Sequence, residues 1–187
     1  MEEATRAPAR FACLILACGL FSMSVCAAPP ESNPVAHTYA QTYGVSVDEA
    51  ERRLARQADI GALEQRMQAE RPDTFAGLYI EHRPAYRVVV RFTGDAQAQL
   101  AAYTGDPLYV AQTAPRSLQV LRGTQDLLGQ RLHAAGIEFM SGTDVKTSQV
   151  DIYVLDVEKA MECLAELPVM KEGFVRVHKT GGFIETT

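Results

Sequence analysis

Phe75-Ala76-Gly77-Leu78-Tyr79-Ile80-Glu81-His82-Arg83-Pro84-Ala85-Tyr86-Arg87-Val88-Val89-Val90-Arg91-Phe92 is the stretch that decides the fold. Its two ends are rich in β-branched and aromatic residues, and Arg83-Pro84 interrupts them, so the stretch reads as a β-hairpin. Thr93-Gly94-Asp95 then supplies a turn and a helix cap before Ala96–Ala102, and Gly105-Asp106-Pro107 leads into an extended piece, 108–113. The order is strand, strand, helix, strand.

The same order returns downstream. Extended segments at 137–144 and 150–155 flank a polar turn near Lys146–Ser148, a short helix is expected over Glu158–Leu167, and a last strand over Phe174–His178. Between the two units, Ser117–Ala135 carries Leu118, Leu121, Leu128 and Leu132 on one helical stripe, with Gly136 placed to close it. Two small sheets, each with a helix across one face, make this an α+β protein. A single continuous sheet built from both units is the alternative arrangement, because the repeat is one of element order and not of identity.

Upstream, Ser46-Val47-Asp48-Glu49 has the spacing of a capping box, predicting a helix to about residue 57. Asp59 is placed to cap a second helix to about Glu70, which Arg71-Pro72-Asp73 ends. The expected division is a signal peptide at 1–27, a flexible Pro-rich leader at 28–45 and a helical segment at 46–73. A first α+β lobe at 74–116, a connecting helix at 117–136 and a second lobe with the C-terminal tail at 137–187 complete it.

The first segment reads as an export signal. Arg6 and Arg10 precede the apolar run from Phe11 to Val25, and Val25-Cys26-Ala27-Ala28 offers a small-residue cleavage pattern, with cleavage expected after Ala27. A retained membrane helix would need about 20 apolar residues, more than this run provides. A lipoprotein anchored at Cys18 is the other version, although Leu16 fits that motif poorly. Periplasmic or extracellular localisation follows as the expectation, with membrane contact peripheral at most. Cys13, Cys18 and Cys26 leave with the signal, so Cys163 remains as the lone cysteine of an exported chain that must be held by its core. Its place on an amphipathic helix predicts a buried small hydrophobe and not a nucleophile.

The 187 residues carry 23 Asp and Glu against 18 Lys and Arg, a net charge of −5. That balance argues against nucleic acid or an anionic membrane as the partner. It also argues against reading Tyr43–Leu54 as a DNA-binding helix-turn-helix. His37, His82, His133 and His178 are scattered without metal-ligand spacing, and His82 in its turn reads as solvated surface. No Gly-x-Ser-x-Gly elbow or Gly-x-x-x-x-Gly-Lys-Ser/Thr loop occurs. The two Thr-Gly-Asp triplets, at 93–95 and 104–106, read as turn chemistry, and paired carboxylates such as Asp48 with Glu49 or Glu162 with Glu166 as solvated helix faces. The chain is therefore expected to be non-enzymatic and to use no metal or cofactor.

Phe75–Ile80, Arg87–Val90, Phe92-Thr93-Gly94-Asp95-Ala96, Ser117-Leu118 at the long helix, and Gly142-Thr143-Asp144-Val145-Lys146 before Val150–Val154 together resemble the pro-regions of secreted chymotrypsin-like bacterial serine proteases. The streptogrisin and α-lytic protease group is the nearest, and the likeness runs from about residue 46 to 180. It implies a two-lobed α+β protein that clasps a protease, assists its folding and inhibits it, an edge strand and the C-terminal tail meeting the enzyme. With no protease domain after Thr187, the expectation is action in trans on a separate enzyme. A cell-envelope interaction module without a protease partner is the alternative. The partner-binding residues implied are Phe174, Val175 and Val177 with Gly181, Gly182, Phe183 and Ile184 of the tail, which is flexible at its glycines and apolar beyond them. Simple terminal fraying is the competing reading of that tail.

Overall fold

The structure, a computed structural model, describes residues 33–182. It opens with three helices. Helix α1, Pro34–Tyr43, occupies ground that the sequence reading gave to a flexible leader. The physical reason is local: the Asn33 side chain accepts from the Val35 N–H at 3.0 Å, and Pro34 sits in the first turn, where its missing N–H costs nothing. Gly44, at φ 69°, closes the helix. Ala36 and Ala40 are buried against Ala50, with Tyr39, Val45, Val47 and Leu54 around them.

Helix α2, Val47–Ala55, starts where the capping box placed it, and the Ser46 side chain accepts from Glu49 N at 3.2 Å. The reciprocal half of the box is not made. The Glu49 carboxylate turns instead to Arg52 (2.9 Å) and Arg53 (2.7 Å), whose charges outbid a neutral backbone donor. Helix α3, Gln57–Glu70, begins at Arg56 with no side-chain cap, so Asp59 lies inside the first turn and does not cap.

The two repeated units follow as two separate three-stranded sheets, which removes the continuous-sheet alternative. In the first, β1 (Phe75–Glu81) pairs antiparallel with β2 (Arg87–Phe92), helix α4 (Ala96–Ala101) crosses over, and β3 (Tyr109–Thr113) returns parallel to β2. Asp95 caps α4 by accepting from Ala98 N at 3.0 Å. In the second, β4 (Phe139–Asp144) pairs antiparallel with β5 (Gln149–Val154), helix α6 (Val157–Leu164) crosses over, and β6 (Val175–Lys179) returns parallel to β5. The predicted α6 stops short of Leu167 because Pro168 forces the residue before it out of the helical region. A 3-10 turn, Pro168–Glu172, fills the remainder.

Helix α5, Leu118–Ala134, ties the sheets together. Leu118 belongs to the first core with Val88, Val90 and Phe92, while Leu121, Leu128 and Leu132 belong to the second with Val150, Ile152 and Val154. One stripe thus serves two cores. Cys163 is half-buried against the second core, more open than predicted, its Sγ 3.7 Å from the Arg131 carbonyl oxygen.

A second tie joins the units directly. The turn between β4 and β5 lies against the first sheet, where Val145 packs on the first core. Arg91, 5% exposed, donates from Nη1 to the carbonyl oxygens of Val145 and Lys146 (the latter at 2.9 Å) and to Ser148 Oγ at 3.0 Å. Gly77 pairs with Arg91 just after a β-bulge in β1, at φ 98°. A Cβ built there would sit 2.7 Å from Val145 Cγ1. Lys146 Nζ stands 4.8 Å from the centre of the Tyr79 ring. Partial burial pushes the Asp144 carboxyl up, but hydrogen bonds from the Thr147 hydroxyl and the Lys146 and Thr147 amides outweigh it and hold the group below its usual range.

Candidate functional site

Strand β6 is an edge strand: β5 pairs with it on one side, and no strand among the described residues pairs on the other. The direction of its backbone groups follows from two bonds. The Phe174 carbonyl accepts from Val150 N at 2.9 Å, and Thr180 N donates to the Val154 carbonyl at 2.8 Å. In a parallel ladder alternate residues turn both groups to the same neighbour, so 174, 176, 178 and 180 face β5. The N–H and C=O groups of Val175, Val177 and Lys179 therefore point outward from the sheet.

The partner-binding residues expected from the sequence separate into four sets. Phe174 is 3% exposed in the second core, with the Arg116 guanidinium 4.0 Å from its ring centre, so its side chain is part of the scaffold and not of a contact surface. Gly173 at φ 75° turns the chain there and directs the ring inward. Val175 and Val177 are half-buried against the same core and carry the outward backbone groups. Gly181 and Gly182 are exposed just beyond the strand, the Gly182 carbonyl accepting from the Thr180 hydroxyl at 3.2 Å. Phe183 and Ile184, like the signal segment 1–27, lie outside the described residues.

The open face of the second sheet adds residues that the sequence reading left without a role. Met140, Tyr153 and His178 are register partners across β4, β5 and β6. Met140 is 50% exposed, Tyr153 38% and Leu155 46%. His178 stacks on Tyr153 with ring centres 4.9 Å apart, and its Nε2 lies 2.7 Å from Asp151 Oδ1. The alternation Val150-Asp151-Ile152-Tyr153-Val154 carried this signal, since it sends Asp151 and Tyr153 to the face opposite the buried residues. No serine, threonine or cysteine among the described residues hydrogen-bonds to His178, and none of them forms a group of three His, Cys, Asp or Glu able to hold a metal.

A second constellation holds α1 against the first hairpin. His82, expected as solvated surface, is half-buried: Tyr43 stacks on it at 3.9 Å and the Tyr39 hydroxyl lies 2.8 Å from its Nδ1. Arg83 donates to the Thr42 carbonyl at 2.8 Å, and Arg53, paired with Glu49, lies over the Tyr86 ring at 4.5 Å. Burial, with the positive charges of Arg53 and Lys146, lowers the His82 pKa below its ordinary value. The neutral ring is the form that fits. Its contribution is complete above the unfolded-state value of about 6.5 and is lost as pH falls through the lower folded value. The protection of the α1 amides, taken relative to their intrinsic exchange rates, is accordingly expected to fall on acidification from neutral pH, and His82→Phe is expected to flatten that dependence. Equal pH dependence in both proteins would remove His82 as its origin.

Among the described residues no helix is long and apolar enough to cross a membrane. No protein-family model matches the chain, and no curated protein matches it.

Proposed function

We propose that this protein is an exported, non-catalytic binding protein that takes a strand of its partner onto the open edge of β6. In its sharpest form it assists the folding of, or inhibits, a separate secreted serine protease. The observation that carries the docking reading is the outward row of N–H and C=O groups on Val175, Val177 and Lys179, which leads directly into Thr180–Gly182. An unpaired edge of this kind is the usual seat of strand addition, in which main-chain bonds supply affinity and alternate side chains supply selectivity. The protease as partner rests on the resemblance of the hairpin and turn sequences alone. The exposed Tyr153 and Leu155 next to that strand, with Met140 across the sheet on β4, favour a second reading, a cell-envelope interaction module that meets a protein surface and no cleft.

Val177→Pro separates docking from folding. The N–H it removes points away from β5, so the ladder is kept and the loss of stability is expected to stay near 1–2 kcal/mol from altered valine packing. Capture from a secreted and periplasmic fraction would use the chain from residue 28, its Val177→Pro variant and a version ending at Gly182. A serine protease held by the parent and released by Val177→Pro is the expected result. Retention of other envelope proteins through the same edge would favour the second reading. Equal retention by parent and proline variant would overturn β6 as the docking edge.

A further inference from the structure

We infer that the β6 edge selects an acidic partner strand; the inference rests on β6 being the docking edge and adds the chemistry of what docks. The chain is acidic overall, at −5, yet β6 reads Val-Arg-Val-His-Lys, three basic side chains in five residues and no acid. The corresponding edge of the first sheet, β3, reads Tyr-Val-Ala-Gln-Thr and carries no charge. Two edges of the same topology thus differ, and an open edge in this protein does not by itself require basic residues.

Two of the three basic groups, Arg176 and Lys179, are also without partners, while His178 is held by Asp151. Asp151 stands opposite Arg176 in the register, but its carboxylate is bonded to His178 at 2.7 Å. Glu172 lies 4.0 Å from Arg116. Among the described residues neither Arg176 nor Lys179 has a salt-bridge partner, and exposed Lys171 in the adjoining 3-10 turn has none either. Alternation puts Arg176 and His178 on the open face and Val175, Val177 and Lys179 on the core side. The valines pack with half-buried Val169 and Met170 against the second core, and exposed Lys179 ends that row. An added strand would place its own alternate residues beside these two rows. The matching strand is therefore acidic on the open face beside Arg176 and apolar on the core face beside Val175 and Val177. The same cations repel a second β6, so they disfavour pairing between copies of this chain while attracting the acidic strand.

The test uses the full chain and three labelled extended peptides with valine or threonine at core-side positions and glutamate, glutamine or lysine at the others. Fluorescence polarisation at about 0.05 and 0.3 M salt would read their affinities. The glutamate peptide is expected to bind about two- to fivefold more tightly than the glutamine peptide at low salt, the gap narrowing at high salt. R176E is expected to reverse the order in favour of the lysine peptide, and R176Q to abolish it, whereas K179Q, on the core-side row, is expected to leave it unchanged. Equal binding of the glutamate and glutamine peptides at both salts, or an order unchanged in R176E, would overturn the charge inference and leave the docking edge standing. Failure of all three peptides to bind would overturn the docking edge, and this inference with it.

Discussion

Arg91→Ala is expected to lower the unfolding free energy by about 2–4 kcal/mol and to release the β4–β5 turn from the first sheet. The guanidinium is almost wholly enclosed, and three acceptors converge on it: the carbonyls of Val145 and Lys146 and the Ser148 hydroxyl. Truncation leaves those acceptors facing a cavity, and a buried polar group without a partner costs about 1–3 kcal/mol. Part of the loss is returned, because burial already disfavours the charged side chain and lowers its pKa. Chemical denaturation measures the total, and amide exchange over residues 144–148 shows whether the turn is the part released. Arg91→Lys is expected to recover part of the loss, since all three acceptors meet the single Nη1 and an ammonium carries three N–H donors on a shorter stem. A loss under about 0.5 kcal/mol with unchanged exchange in the turn would show that the units hold together without this contact.

Gly77→Ala is expected to cost about 2–4 kcal/mol for two separable reasons. The backbone at φ 98° is one that L side chains rarely adopt, and the new methyl would lie 2.7 Å from Val145 Cγ1 and 3.1 Å from Val145 Cβ. Val145→Ala in the same chain removes the 2.7 Å clash, leaving the tight Cβ contact at 3.1 Å, and does not touch the first reason. The double variant is therefore expected to recover part of the loss, about 1–2 kcal/mol, with the backbone strain left over. Full recovery would assign the whole effect to the clash. No recovery would assign it to the backbone. Gly77 and Arg91 serve one contact, so their losses are not expected to add.

The elements were legible where their signals were local. Ser46, Asp95 and Ser117 accept from the backbone amides that their cap positions imply. The leucines of α5 recur at helical spacing and are buried as that spacing requires. What failed did so for identifiable reasons. Asn33-Pro34 reads equally as a breaker or as a cap followed by a first-turn proline, and only the burial of Ala36 and Ala40 decides between them. Arg91 looks like any charged residue of a half-exposed strand, because its burial comes from a turn in the other unit. A glycine in a strand signals close approach of something, and Val145 cannot be named from β1 alone. At β6, placing the strand one residue early put Phe174 in the contact set when it belongs to the core. The outward direction of alternate backbone groups depends on pairing with β5, which no single segment encodes.

The Arg91 contacts join residues 54 to 57 positions apart in the chain, whereas each hairpin closes through a short turn and each third strand returns through one short helix. Long loops carry the larger closure cost, so the two sheets can assemble from near neighbours before the turn reaches its seat. Docking of the units is then a late event in folding. A change at Arg91 leaves the climb to the barrier largely untouched and speeds departure from the native state, so the contact sets how long the molecule keeps its shape more than how quickly it acquires it.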